Sequence, residues 1–309
     1  MPDVLRLVAI DSVSRNESAL AALVFDELRN VEHLVVERVG DNVIARTEGF
    51  HAHRILVAGH LDTVPGDPAL AVIEGNRLTG LGACDMKGSL AVMLELAKDT
   101  AKRAFDVTWV FYAREEIARS ESGLLEIAQL RPDLLLADAA IVAEPTGGAV
   151  EAGCQGTLRL GVTVQGLRAH TARPFTGRNA IHRLGAIINQ VAQYEPRVAI
   201  DRSRDEAVTS VRELLGDLIE DEDVLEVLDW APAAPPSLTH PIIQSLVAAS
   251  GQPARAKVGW TDVATLVEMG VPATNFGAGD PLLAHRADEF VTEAELDGFA
   301  TTLRGLLFS

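Results

Sequence analysis

Cysteine is scarce: Cys84 and Cys154 are the only two in 309 residues. That excludes a disulfide framework and a Cys-x-x-Cys zinc pair, and it fits a reducing cytoplasm, where the protein is expected to reside. Long apolar runs are missing as well; none approaches the roughly 20 residues that span a bilayer. Met1-Pro2-Asp3 does not open a basic-then-apolar export signal, so no signal peptide is expected. Basic residues are outnumbered, 27 Lys and Arg against 44 Asp and Glu, for a net charge of −17. Such acidity argues against nucleic acid and anionic membrane as partners and suits an enzyme that attracts cations. Internal repeats and low-complexity segments are absent too.

What is present is enough for a core. Hydrophobic residues make up 48% and charged residues 23%, which excludes global disorder, and the length implies about two domains. The chain is organised around Leu81-Gly82-Ala83-Cys84-Asp85-Met86-Lys87-Gly88-Ser89. Asp85 lies between a glycine-bearing loop and a helix whose Leu90, Met93, Leu94 and Ala97 recur at helical spacing. An acid in that place has an ordinary use as an N-cap. Four other stretches, each offering a metal-type ligand in a similar place, weigh against that ordinary use.

In chain order, helices are expected over 3–12 and 17–30. Two strands follow around Gly40-Asp41-Asn42, then a strand over 54–59 whose Ile55-Leu56-Val57-Ala58 run implies burial on both faces. His60 and Asp62 follow at its carboxyl end and point the same way in extended chain. A hairpin over 71–81 precedes the Asp85 helix. A second buried strand over 106–113 leads to Arg114-Glu115-Glu116, a helix covers 121–130, and a third buried strand over 138–143 leads to Glu144-Pro145-Thr146. Strands alternating with helices imply an α/β fold with a central mixed, mostly parallel sheet flanked by helices. Ligands of such sheets gather outside the carboxyl ends of the strands.

The pattern then changes. Thr157–Gln165 alternates apolar and polar residues as a half-exposed antiparallel strand does. Helices are expected over 179–194 and 203–215, and a returning strand over 223–228. A joint with Pro232, Pro235, Pro236 and Pro241 comes next, then helices over 240–250 and 262–269, a strand over 272–276, the His285 loop and a closing helix over 292–307. The domains expected are a catalytic domain over 1–155 and 231–309, interrupted by a small inserted α+β domain over 156–230.

His60, Asp85, Glu116, Glu144 and His285 are nitrogen and oxygen donors suited to zinc, cobalt or manganese. Two metals about 3.5–4 Å apart need a shared ligand, and a carboxylate with two oxygens serves; Asp85 is the natural candidate. One histidine and one further carboxylate per metal complete two sites that activate a water. A general base is still required, and Glu115 fits. Asp62 is placed to hold the other nitrogen of His60. Each residue alone has a bland alternative: a loop histidine, a solvated Glu-Glu pair, a Glu-Pro strand end. Their joint position at strand ends and a helix start is what favours a metal centre, though spacing alone does not separate a hydrolase from a structural metal site.

Gly59-His60-Leu61-Asp62-Thr63-Val64-Pro65, Asp85-Met86-Lys87-Gly88, Glu115-Glu116 and Glu144-Pro145-Thr146 together resemble the M20 family of di-zinc amidohydrolases and peptidases. Within it, Glu151–Thr157, Arg168–Arg173, Gly259–Ala264 and Asn275–His285 are most similar to desuccinylases of the actinobacterial type, which act on N-succinyl-L,L-2,6-diaminopimelate. The resemblance spans nearly the whole chain. It implies a zinc-exopeptidase-like fold and two Zn2+ per chain, with Co2+ or Mn2+ as substitutes. His60 and Glu144 would bind one ion and Glu116 and His285 the other, with Asp85 bridging, Glu115 as proton-shuttling base and Asp62 orienting His60. It also implies a cis Asp85–Met86 peptide, a lid-domain His170 that stabilises the oxyanion, usually in a partner's site, and a homodimer. Arg173, Arg178 and Thr261 are the candidates for substrate contact, and the implied role is in lysine and cell-wall precursor synthesis.

The chain departs from the family in the inserted domain. Family lids resemble a β-α-β-β-α-β unit, whereas here Val198-Ala199-Ile200-Asp201 runs almost directly into the helix at Ser203. The two middle strands are expected to be missing, and with them segments that grip a substrate carboxylate and contribute to the dimer. Three alternatives therefore stay open: deacylation of another N-acyl amino acid such as acetylornithine, dipeptide cleavage, and metal binding without catalysis.

Overall fold

The computed structural model of the protein describes residues 1–49, 51–66, 71–195, 203–286 and 288–308. In chain order its helices are α1 (Pro2–Val8), α2 (Ser18–Leu28), α3 (Gly88–Lys98), α4 (Gly123–Leu130), α5 (Ala180–Ala192), α6 (Arg204–Leu215), α7 (Pro241–Ser250), α8 (Val263–Glu268) and α9 (Glu293–Leu307). Its strands are β1 (Leu34–Val39), β2 (Asn42–Thr47), β3 (Arg54–His60), β4 (Val72–Glu74), β5 (Arg77–Thr79), β6 (Asp106–Tyr112), β7 (Ala139–Val142), β8 (Glu151–Ala152), β9 (Thr157–Thr163), β10 (Val224–Ala231), β11 (Arg255–Ala256), β12 (Ala273–Asn275) and β13 (Phe290–Thr292). Among the described residues, no helix is long and apolar enough to cross a membrane.

Chain contacts divide the molecule into one unit of residues 1–155 with 234–309 and a second of 156–233. The first unit is built on an eight-stranded mixed sheet in the order β1-β2-β6-β3-β7-β12-β8-β11. Its centre is parallel, β6 with β3, β3 with β7 and β7 with β12. Alternation along β3 sorts the core into two layers. Ile55 and Val57 join Trp109 and Phe111 beneath α1, α2, α3 and α9. Leu56 and Ala58 join Val110 and Tyr112 on the opposite face, against α4 and α8. Both faces of β3 are therefore covered, which is why its sequence reads as an unbroken apolar run.

One expectation needs correction here. The first helix ends at Val8 rather than near 12, because the Ser12 hydroxyl donates to the Leu61 carbonyl and Val13 bridges to Thr63 in parallel. The helix after Asp85, α3, ends at Lys98, where Asp99 turns to extended backbone. The short strands β8, β11 and β13 carry no apolar run of their own and are not legible in the sequence.

The second unit pairs β9 with β10 antiparallel, Thr157 opposite Ala231 and Thr163 opposite Val224, with a bulge between Val227 and Asp229. The returning strand thus continues to Ala231, past its expected end at 228. The Asn179 side chain caps α5 by accepting the N–H groups of Ile181 and His182. Ser203 and Glu206 cap α6 reciprocally, a capping box. Residues 196–202, on which the expected loss of two middle strands rests, lie outside the described residues; among those described, this unit has two strands and two α-helices.

Candidate metal centre

Parallel register brings the candidate ligands to one rim. His60 ends β3 opposite Tyr112, the last residue of β6, and Ala58 lies opposite Val142 of β7. The chain leaves β6 through Ala113 and Arg114, whose φ of 62° turns it sharply into Glu115 and Glu116. Arg114 is held in that turn by its N–H to Glu17 Oε1 and its guanidinium to Glu126 Oε2 and the Glu121 carbonyl. Glu144 follows β7. Asp85 enters from the loop before α3, and the Asp85–Met86 peptide is cis, as the resemblance implies. His285 arrives from the loop after β12, also at positive φ, 64°.

The two oxygens of Asp85 face two different histidines. Oδ1 is 3.0 Å from His60 Nε2, and Oδ2 is 3.5 Å from His285 Nε2. His285 Nε2 also lies 2.9 Å from Glu116 Oε1. Donor atoms of His60, Asp85 and Glu144 fall within 4.8 Å of one another, as do those of Asp85, Glu116 and His285, and those of His60, Glu115 and Glu116. His60, Asp85 and Glu144 are buried, while the His285 side chain is 51% exposed, so the cluster opens to solvent on that side.

Its electrostatics are those of a site short of cations. Burial, and then the charge of Asp85, push the Glu144 carboxyl up to about 7. Burial and the neighbouring Glu144 raise Glu115 well above the carboxylate range. Hydrogen bonds to Asp85 and Glu116 lift His285 to about 10. Burial works against a charge on His60, yet its hydrogen bond to Asp85 and the acids around it raise it well above the usual value. Asp85 is also penalised by burial, and the two histidines still hold it below the usual carboxylate range. In effect two imidazoles stand in for positive charge among four acids.

The donor set fits divalent ions. It offers imidazole nitrogen and carboxylate oxygen, the ligands of zinc and its neighbours. Glu144 Oε1 is buried and has no hydrogen-bond partner, a costly arrangement that a bound cation would satisfy. The Asp62 backbone carbonyl lies 3.0 Å from His60 Nδ1 and can only accept, so Nδ1 donates to it, and Nε2, which faces Asp85, is the nitrogen that would give up its proton to an ion.

That carbonyl, rather than the carboxylate, makes the close contact with His60: Asp62 Oδ1 stands 3.7 Å from Nδ1. The carboxylate is engaged elsewhere. It accepts the backbone N–H of Glu115 at 2.9 Å, that of Glu116 at 3.0 Å and the Ser14 hydroxyl at 2.7 Å. Thr261 is 2% exposed and its hydroxyl donates to Asn275 Oδ1. His170, Arg173 and Arg178 belong to the second unit. His170 is exposed and accepts the Ala172 N–H at Nδ1; Arg178 pairs with Glu220 and Glu222. One residue that the sequence did not single out meets this cluster: buried Glu289 accepts the backbone N–H groups of Cys84 and Asp85. Its only sequence trace is its place four residues after His285.

Comparison with known proteins gives the family and the fold. The model of peptidase family M20/M25/M40 matches residues 56–309. A Mycobacterium tuberculosis protein, provisionally named as a succinyl-diaminopimelate desuccinylase, is 40% identical over 338 residues, covering 97% of this chain and 96% of that protein. The succinyl-diaminopimelate desuccinylase of Corynebacterium glutamicum is 38% identical over 350 residues, covering 98% and 94%. Among solved structures, a Staphylococcus aureus tripeptidase aligns with a TM-score of 0.81 at 19% identity over 99% of this chain and 96% of that one. A dinuclear metal-binding M20 peptidase of Bacillus subtilis aligns at 0.69 with 15% identity, over 98% and 94%. These structural likenesses speak for the fold.

Proposed function

For this chain, which belongs to peptidase family M20/M25/M40 and is a metal-dependent amide hydrolase, we propose removal of the succinyl group from N-succinyl-L,L-2,6-diaminopimelate. The products are succinate and L,L-diaminopimelate, which places the enzyme in lysine and cell-wall precursor synthesis, in the cytoplasm. The observation that carries the two-metal part is Asp85, whose two oxygens face His60 and His285 separately. On this reading His60, Glu144 and Asp85 would hold one Zn2+, and Glu116, His285 and the other oxygen of Asp85 would hold a second. Co2+ or Mn2+ would suit the same donors.

Divalent ions held there would supply Lewis acidity toward the amide carbonyl and a water. The chain supplies the rest. Glu115, half-buried and with its pKa raised by desolvation and the Glu144 charge, takes the proton from the attacking water and returns it to the leaving nitrogen as the C–N bond breaks. Asp62 fixes the Glu115–Glu116 backbone through two N–H acceptors. The Asp62 carbonyl fixes the tautomer of His60. His170 is the proposed oxyanion donor, Arg173 and Arg178 the proposed partners of substrate carboxylates, and Thr261 a further contact; the homodimer belongs to the same proposal. Arg178 would have to leave Glu220 and Glu222 to serve.

The support for the substrate is near-full-length identity to proteins named for it. The test is a panel of N-succinyl-L,L-diaminopimelate, N-acetylornithine and dipeptides offered to metal-loaded protein. Turnover of the succinyl compound above the others supports the assignment. Faster turnover of another member, with none of the succinyl compound, rejects it in favour of another deacylase or a dipeptidase. One observation favours a second reading, metal binding without catalysis: the inserted unit pairs only two strands among its described residues. Two bound ions with no turnover of any panel member would support that reading.

A further inference from the structure

β13 pairs antiparallel with β5, Phe290 opposite Thr79, and the Gly80 N–H donates to the Glu289 carbonyl at 2.9 Å. This pairing delivers Glu289 beneath the loop that carries Asp85, although the two are 204 residues apart. Glu289 is 1% exposed. Its Oε1 accepts the N–H of Cys84 and the N–H of Asp85, each at 2.8 Å. Asp85 itself is not helical, at φ −121° and ψ 91°, so the turn before α3 leaves these donors without regular partners. Buried backbone N–H groups require acceptors.

The placement is asymmetric. His60 is the last residue of β3, in register with Tyr112, and Glu144 follows two residues after β7. Asp85 and His285 stand on loops. The segment from His285 to Glu289 carries one of these ligands at its start and grips the backbone of the other at its end. We propose that Glu289 is a positioning residue for the ion bounded by Asp85, Glu116 and His285: it fixes the Asp85 backbone so that Oδ2 faces His285. The inference rests on the two-metal reading above. It assigns the loop's geometry to one carboxylate rather than to the helix that follows it.

The test is stepwise titration of metal-free protein with Zn2+ by calorimetry, and with Co2+ by visible absorption, in wild type, Glu289→Ala, Glu289→Asp and Glu289→Gln. Wild type should take two ions. In Glu289→Ala one binding step should be unchanged and the other weakened by about 10–100-fold, as for supporting partners of ligands elsewhere, with one of the two Co2+ signatures altered. Glu289→Asp keeps the charge but falls a methylene short and should lose as much. Glu289→Gln retains an oxygen that accepts both N–H groups and should retain more affinity. A role confined to folding would instead lower the melting temperature with both steps intact. Two unchanged steps in Glu289→Ala overturn the proposal. Should that variant not fold, equal and wild-type-like binding by the Asp and Gln variants overturns it. Fewer than two ions in wild type would reject the two-metal reading itself, and the inference with it, and is read without any variant.

Discussion

Asp62 Oδ1 accepts the backbone N–H of Glu115 at 2.9 Å. Through this bond a carboxylate just past the end of β3 sets the position of the proposed base just past the end of β6, and its second oxygen does the same for Glu116. Replacing Asp62 by Ala would leave two backbone donors and the Ser14 hydroxyl without their acceptor. The expected cost is about 1–3 kcal/mol per buried unsatisfied group, together with a loss of about 10–100-fold in metal affinity or activity. Asp62→Asn keeps one acceptor and should lose less. Thermal unfolding and steady-state kinetics of the loaded variants check both.

Metal-free protein should lose stability as pH rises. Glu144 titrates at about 7 in the folded chain against about 4.3 when unfolded, and His285 at about 10 against about 6.5. Both bind protons more tightly when folded. Their stabilisation is therefore complete below each unfolded value and is lost as pH passes the folded one. Asp85, held low, acts oppositely, and only below about pH 4. The melting temperature of chelated protein should fall steadily from about pH 5 towards 10. A rise over that window contradicts the electrostatics described for the site.

Loading the centre should release protons. At pH 7 His285 is protonated and Glu144 is about half protonated in the metal-free chain, and ligands must be deprotonated to bind. Calorimetry in buffers of different ionisation enthalpy should show net release, diminishing as pH approaches 10.

Gly277→Ala should damage the site from behind. A Cβ there would stand 2.3 Å from the Ala143 carbonyl oxygen and 2.5 Å from that of Glu144. Both neighbours are backbone, so β7's exit must shift. About 1–3 kcal/mol of overpacking is expected, with weaker binding of the ion held by His60 and Glu144. Denaturant unfolding and metal titration measure the two effects.

Much of this site was legible because it follows strand ends. Ile55–Ala58, Val107–Phe111 and Ala139–Val142 are buried on both faces, so their apolar runs marked the central strands and thereby the rim. The Asp85 helix showed its periodicity. What escaped depends on contacts between distant segments. Glu289 meets Cys84 and Asp85 only because β13 pairs with β5, two three-residue strands with little pattern of their own. The Asp62 carboxylate grips Glu115 and Glu116 instead of His60 because β3 and β6 leave the sheet side by side, a relation that spacing along one strand does not encode. The first helix was read too long because Ser12 and Val13 are claimed by the segment 61–63.

The most direct test of the account is hydrolysis of N-succinyl-L,L-diaminopimelate by metal-loaded protein beside Glu115→Ala, with bound metal counted in both. The account predicts turnover by wild type, a loss of about 10²–10⁴-fold in the variant, and two ions retained in each. Turnover that survives Glu115→Ala with both ions in place, or wild type with two ions and no turnover, would contradict it.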